Sequence, residues 1–261
     1  MIYLWFTIIV IACYFIGSVN FARILAWKRR NQDITTKGSH NPGTMNMLRV
    51  YGFKIAVATL ILEFIKGGVP ALIAGLVMEH FYPGMFYVAY LTAGLSATIG
   101  QIFPAIYKFK GGKGLGTCAG VLFFSPLWWI GIILFAVNWM VLYYTDYASV
   151  ATLSFITELG IATTIYLTVF KTPSLYFALE FANVDPYYWI SIILLWTMIG
   201  LVFISHRKNI YRLIHKSENK ANFKKSLKSL FKKNGKEEEV ENQATETEVK
   251  NQVVENENST K

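Results

Sequence analysis

Charge is what this chain has least of. Only 16% of its 261 residues are Asp, Glu, Lys or Arg, against about 25% in an ordinary soluble domain. That shortage excludes a water-solvated globule as the main body. Cysteine is nearly absent too. Cys13 and Cys118 stand alone in apolar segments, which gives neither a disulfide framework nor a metal-ligand spacing, so both read as packing residues. The N-terminal block lacks the basic start and small-residue cleavage site of a removed signal peptide. Ile2 to Trp27 therefore reads as a retained first span. No internal repeat stands out.

What the chain has instead is apolar length. Of all residues, 54% are hydrophobic and 16% aromatic, gathered in blocks that approach the roughly 20 residues needed to cross a bilayer. The fold class expected is all-α, a multi-pass helical membrane protein of about seven spans. Lys28, Arg29 and Arg30 follow the first span at once, a cytoplasmic stop that predicts an external N-terminus. Further spans are expected at Tyr51 to Met78 and Met85 to Tyr107, joined by the external turn His80 to Gly84. Gly116 to Phe124, ahead of Ser125-Pro126, is expected to be short or broken, since proline disrupts a helix. Leu127 to Tyr144, Ala148 to Phe170 and Tyr187 to Ser205 complete the set. Seven crossings put the C-terminus in the cytoplasm and leave Lys171 as the outer cation. Six would place Arg207, Lys208 and Arg212 outside, against the positive-inside tendency.

The net charge of +9 divides unevenly. Residues 216–261 hold ten Lys and nine Asp or Glu, leaving 15 basic and 7 acidic residues in 1–215. This places a membrane domain at 1–215 and a charged tail at 216–261, too polar to offset ordering entropy and expected to be disordered. Basic proteins bind nucleic acid, but here the cations sit between spans. They report orientation or attraction to anionic lipid and phosphorylated solutes, and no nucleic-acid partner is expected.

The loops carry the candidate chemistry. Gly111, Gly112, Lys113 and Gly114, preceded by Lys108 and Lys110, stand where a helix enters the membrane. Glycine admits an anion close to backbone N–H groups, and a helix start favours negative charge. The spacing is not that of a Walker A loop, and a flexible basic stop would look the same. In the loop Gly38 to Arg49, Ser39, Asn41 and Asn46 offer hydrogen bonds and Arg49 a planar fork for phosphate; these are also ordinary turn residues. Glu63 and Lys66, three apart, form an internal ion pair or a functional one. His206, Asn209 and Arg212 fall near one helix face, and Ser149 follows a helix interruption at Asp146.

In order, these segments resemble the acyl-phosphate-dependent glycerol-3-phosphate acyltransferases of bacterial membranes. The likeness begins at Gly17-Ser18 and continues through Asp33-Ile34 into GSHNPGTMNMLR, residues 38–49, where the family reads GSGNxGATNxxR. Glu63 to Pro70 matches its Asp-x-x-Lys-Gly-x-x-Pro. Gly100 to Pro104 followed by Phe109 to Gly114 matches Gly-His-x-Phe-Pro and Phe-Lys-Gly-Gly-Lys-Gly, and His206 to Leu213, with Glu218 after it, matches the closing motif. The family is built on seven helices. The resemblance implies transfer of a fatty acyl group from acyl phosphate to the 1-hydroxyl of glycerol 3-phosphate. The products are 1-acyl-glycerol 3-phosphate and phosphate, the opening step of phospholipid synthesis, with no metal, nucleotide or other cofactor. By motif position, Ser39, Arg49, His206 and Asn209 would act at the reaction. Asn41, Asn46, Lys66, Gly67, Gly68, Gly111, Gly112, Lys113, Gly114 and Ser149 would bind substrate. A functional link to the enzyme that makes acyl phosphate is also implied.

Six departures stand out: Thr35 for arginine, His40 for glycine, Thr44-Met45 for Ala-Thr, Glu63 for aspartate, Gln101 for histidine, and Asp146 for arginine. They admit a slower enzyme or an inactive homologue that binds a lipid-synthesis partner. A transporter of a phosphorylated solute predicts a midplane site and repeated halves instead.

Overall fold

The structure, a computed structural model, describes residues 1–169 and 187–229. Lys171 and the acidic end of the tail lie outside the described residues. Among those described, the regular elements are helices and no strand is present.

The first span is not continuous to Trp27 as expected. Helix α1 runs Ile2–Ser18 and α2 Phe21–Arg30, with Val19 extended between them. Asn20 causes the break: its side chain accepts from the Arg23 N–H at 2.9 Å and donates to the Pro42 carbonyl at 3.1 Å. A short polar side chain that caps the next turn competes with the helix it would otherwise continue.

Helix α3 (Thr44–Tyr51) is joined through Gly52, at φ +82°, to α4 (Phe53–Phe81), which carries Pro70 within it. Helix α5 spans Phe86–Ile102, ending earlier than the expected Tyr107. Phe103 precedes Pro104, a position biased away from helical backbone. Its other end is fixed by Glu79, whose carboxylate accepts from Gly84 and Phe86 N–H at 3.0 and 3.1 Å. Helices α6 (Leu115–Phe123), α7 (Trp128–Thr145), α8 (Ala148–Val169), α9 (Tyr188–Ser205) and α10 (Arg207–Ile214) follow.

Helix α5 is the buried centre. Phe86, Tyr87, Tyr90 and Leu91 are fully enclosed, and α1, α4 and α9 pack around it. Helices α4 and α6 approach through glycine. A Cβ on Gly67 would lie 2.2 Å from the Thr117 carbonyl oxygen, and one on Gly120 2.3 Å from that of Phe64. Small residues let membrane helices pack backbone to backbone where no hydrophobic force drives them together.

Six segments are long and apolar enough to cross a membrane, and the chain is a multi-pass membrane protein. Helix α6, of 9 residues, measures about 14 Å, short of the roughly 30 Å hydrocarbon core. Contacts settle its part. Asn20 reaches Pro42, Arg23 reaches the Lys110 carbonyl, Lys113 reaches Asn209, and Asn209 reaches Ser149. The loops after α2, α5, α7 and α9 therefore share one end of the bundle. Trp5 stacks on Phe81 at 5.6 Å, which places the start of α1 at the other end. Helices α6 and α7 together leave the shared end and return to it, so α6 with the turn at 124–127 makes the outward pass. This is the short seventh crossing.

One compact unit extends from Met1 to Ala221 and a second holds Asn222–Lys261. The compositional boundary after His215 thus falls inside the first unit. Polar as residues 216–221 are, their backbone is hydrogen-bonded to the body: Ser217 N–H to the Arg212 carbonyl at 2.8 Å, Ala221 N–H to that of Asp146 at 2.9 Å. Of the second unit, residues 223–229 are helical.

Candidate active site at the shared end of the bundle

The loop before α3 is built around Asn46. Buried at 2% exposure, its amide donates to the carbonyls of Ile34 and Lys37 at 3.2 and 3.0 Å, and its oxygen accepts the Ser39 N–H at 2.8 Å. Both of its N–H groups are used within the loop, so Asn46 shapes the turn that presents Ser39. Ser39 itself is exposed and Asn41 half-buried. His40 takes a left-handed backbone (φ +59°), and its Nδ1 lies 2.9 Å from the Thr35 carbonyl. Asp33 pairs with Arg23 at 3.1 Å. Arg49, on α3, reaches across to the end of the first unit, donating through Nε and Nη2 to the Lys220 and Asn219 carbonyls, each at 3.2 Å. Burial lowers its pKa, with Glu218 and Asp146 acting in the opposite direction.

A second group lies below the glycine loop. The Lys66 ammonium donates to Glu63 Oε2 at 2.8 Å, to Gln101 Oε1 at 2.6 Å and to the Val19 carbonyl at 2.8 Å. Its three hydrogens are thereby satisfied. It holds the broken first helix, α4 and α5 together, and its side chain is 1% exposed. The Gln101 backbone carbonyl in turn accepts the Gly112 N–H at 2.9 Å. A Cβ on Gly111 would lie 2.1 Å from the same oxygen, so that position has no room for a side chain. Gly114, at φ +75°, opens α6 in a left-handed conformation. Gly67 and Gly68 face α6 and Phe124 respectively. They serve helix packing, away from the polar cluster.

That cluster is the third group. Lys113 Nζ donates to Asn209 Oδ1. Asn209 Nδ2 donates to Ser149 Oγ at 2.9 Å and to Glu218 Oε1 at 2.7 Å, and Ser149 Oγ donates to the same carboxylate oxygen at 3.1 Å. Glu218 Oε2 pairs with Arg212 Nε at 2.8 Å, its side chain only 4% exposed. Ser205 Oγ donates to the Lys113 carbonyl at 2.7 Å. His206 Nδ1 lies 2.8 Å from the Val202 carbonyl. A carbonyl only accepts, so Nδ1 carries the proton and Nε2 is left as an acceptor. Burial, reinforced by the nearby Lys113 charge, pushes the His206 pKa down to about 4. Lys113 itself is pushed down to about 8, chiefly by burial, with Arg212 and Arg49 adding to the fall and Glu218 opposing it.

Lys113, Ser149, His206 and Asn209 thus come together from three segments, the glycine loop, the start of α8 and the start of α10, with Arg49 bound to the strap at 219–220 beside them. Lys66, Gly67, Gly68 and Asn46 do not join that group; each is engaged in holding backbone or packing helices. Glu218 and Arg212 organise the cluster. The sequence signal for Glu218 is an acid standing alone in a basic stretch after a patterned helix.

Comparison with known proteins follows this geometry. The family profile described as glycerol-3-phosphate acyltransferase matches residues 7–216. A glycerol-3-phosphate acyltransferase of Mycoplasma pneumoniae is 37% identical over 222 residues, covering 79% of this chain and 90% of its own length. One from Finegoldia magna is 34% identical, covering 84% and 98%. Among solved structures, PlsY, an integral membrane glycerol 3-phosphate acyltransferase in its glycerol 3-phosphate form, superposes with a TM-score of 0.63. It is 28% identical and covers 82% of this chain and 94% of its own. The lysophosphatidic acid form superposes at 0.64, with 26% identity and 85% and 98% coverage. Motifs, helix order and relatives agree, and the chain belongs to the glycerol-3-phosphate acyltransferase family.

Proposed function

We propose that the protein transfers a fatty acyl group from acyl phosphate to the 1-hydroxyl of glycerol 3-phosphate, at the cytoplasmic face of a bacterial cell membrane. The observation that carries this reading is the convergence of Lys113, Ser149, His206 and Asn209, with Arg49 beside them, at the end where every motif loop gathers. Both substrates are phosphorylated, and a buried cationic cluster holds two anions better than water does. Lys113 and Arg49 bind phosphate, Arg49 exchanging its contacts with the 219–220 carbonyls for phosphate oxygens. Neutral His206 accepts a hydrogen bond from a substrate hydroxyl through Nε2. Ser149 and Asn209 orient the acceptor, Ser39 lies at the loop's exposed turn, and the Gly111–Gly114 backbone lines the approach.

The step balances without a cofactor. The 1-hydroxyl oxygen bonds to the acyl carbon, the acyl–phosphate C–O bond breaks, and the hydroxyl proton ends on the departing phosphate. Acyl phosphate is already activated, so catalysis needs positioning and stabilisation of the carbonyl's developing charge. The orientation proposed is N-terminus outside and the end of the first unit inside, from the Lys28–Arg30 stop and the basic loops at the shared end.

The test is an assay of the purified protein in lipid with acyl phosphate or acyl-CoA as donor, following lysophosphatidic acid and phosphate together. Product from acyl phosphate alone supports the reading. Substitutions Thr35, Met45 and Asp146 in the same loops favour a second reading, an inactive homologue that binds a partner. A folded preparation without transfer, unrescued by Thr35→Arg and Met45→Thr, would leave that one standing.

A further inference from the structure

The outward side of α9 carries an apolar stripe that leads to α10. Ile193, Trp196, Gly200 and Ile204 recur every three or four residues, the spacing of a single helix face, and after the break at His206 helix α10 carries Arg207 and Tyr211. Ile193 is 57% exposed, Ile204 and Tyr211 62% each. At Gly200 an added Cβ would meet nothing within 4 Å, so the stripe has a notch midway. Its chemistry changes along its length. It is aliphatic and aromatic as far as Ile204. Beyond that point Arg207, Lys208, Tyr211 and Arg212 line a surface cavity of about 500 Å³. Arg207 Nη1 folds back to the Ile204 carbonyl at 3.3 Å, setting its guanidinium at the junction of the two zones. Of the lining residues, Arg212 gives its Nε to Glu218, and among the described residues no acid lines the cavity.

We propose that this stripe is a binding site for an anionic phospholipid of the surrounding bilayer, beside the catalytic cluster and sharing Arg212 with it. An acyl chain lies along Trp196, the Gly200 notch and Ile204, and the headgroup phosphate enters the cavity of Arg207 and Lys208. The charge pattern selects this occupant. A zwitterionic headgroup would bring an ammonium against Arg207 and Lys208, where the described lining offers it no carboxylate. A second copy of the chain packed on the same stripe would bring Arg207 and Lys208 against their own kind. Free phosphate would use the cavity but not the apolar track that leads into it. Cations at a membrane boundary are worth about 1 kcal/mol each towards anionic lipid, so two of them give a preference of about tenfold or more.

The experiment is lipid retention by the purified full chain, read by native mass spectrometry after equal loading with phosphatidylglycerol or phosphatidylcholine of matched chains. The expected result is about tenfold more phosphatidylglycerol retained. That preference should vanish in Arg207→Gln/Lys208→Gln, persist in Arg207→Lys/Lys208→Arg, and drop in occupancy when Gly200→Phe fills the notch. Both altered cations are exposed, and a matching elution volume checks the fold of each variant. Equal retention of the two lipids would overturn the proposal. So would an unchanged preference in the Gln pair, displacement of the lipid by inorganic phosphate, or a dimer that excludes lipid.

Discussion

Lys113 offers the sharpest test of the site. Its ammonium, ordinarily near 10.5, is pushed down to about 8 by burial among Arg49 and Arg212. If the charged form binds phosphate, about nine-tenths of the free enzyme is competent at pH 7 and about one-tenth at pH 9, so kcat/KM for glycerol 3-phosphate falls about tenfold between them. The substrate does not confound this window, because a phosphate monoester loses its second proton near about pH 6. Unfolding does not explain it either. Between about 8 and 10.5 the unfolded chain holds a proton on Lys113 that the folded chain has released, so this group makes folding more favourable as pH rises. Activity and stability should move in opposite directions. The assay is initial-rate formation of lysophosphatidic acid from pH 6.5 to about 9.5, corrected for spontaneous loss of acyl phosphate, with melting followed in parallel. Lys113→Arg, charged throughout, should abolish the inflection. A flat wild-type profile, or the same inflection in Lys113→Arg, would refute this account of Lys113.

Three further outcomes follow from the contacts. Arg49→Ala should lower kcat/KM by about 2 kcal/mol of transition-state stabilisation, the scale of a lost charge-assisted contact, while a KM and kcat equal to wild type would remove Arg49 from the site. Lys66→Met should cost stability, about 3–5 kcal/mol for stranding a buried carboxylate, and Glu63→Gln added to it should recover much of that melting loss. Truncation after Ala221 should retain turnover, whereas truncation after His215, which removes Glu218 and the carbonyls held by Arg49, should abolish it. Equal activity of the two truncations would show that the strap has no part in the site.

Hydropathy, proline placement and loop charge made the spans legible, including the short pass before Ser125-Pro126, because a bilayer demands long apolar helices whatever the details. The ordered motifs are carried by loops that gather at one end of the bundle, which makes that end the candidate site. What the sequence could not show is which polar residue serves the backbone. Asn20 and Asn46 look alike in a string of letters, yet one caps a helix and the other knots a loop. Lys66 sits in a motif beside two glycines and reads as a ligand group, but the break at Val19 leaves a carbonyl inside the protein that needs a donor. Neither break nor acceptor is visible until the helices are packed. Glu218 was legible as a lone acid after the closing motif but not as an enclosed one, since its burial comes from the strap folding back on Asn209 and Arg212.

The break in the first helix ties together the loops that carry the candidate chemistry. Val19 gives its carbonyl to Lys66 on α4, Asn20 reaches the Pro42 carbonyl ahead of α3, and Arg23 reaches the Lys110 carbonyl ahead of α6. The loop that leads to Arg49 and the loop that carries Lys113 are therefore anchored on one interrupted turn, so a shift of that turn moves both. On the reaction proposed above, the distance between the two phosphate-binding loops is then set by a helix break and not by the loops themselves.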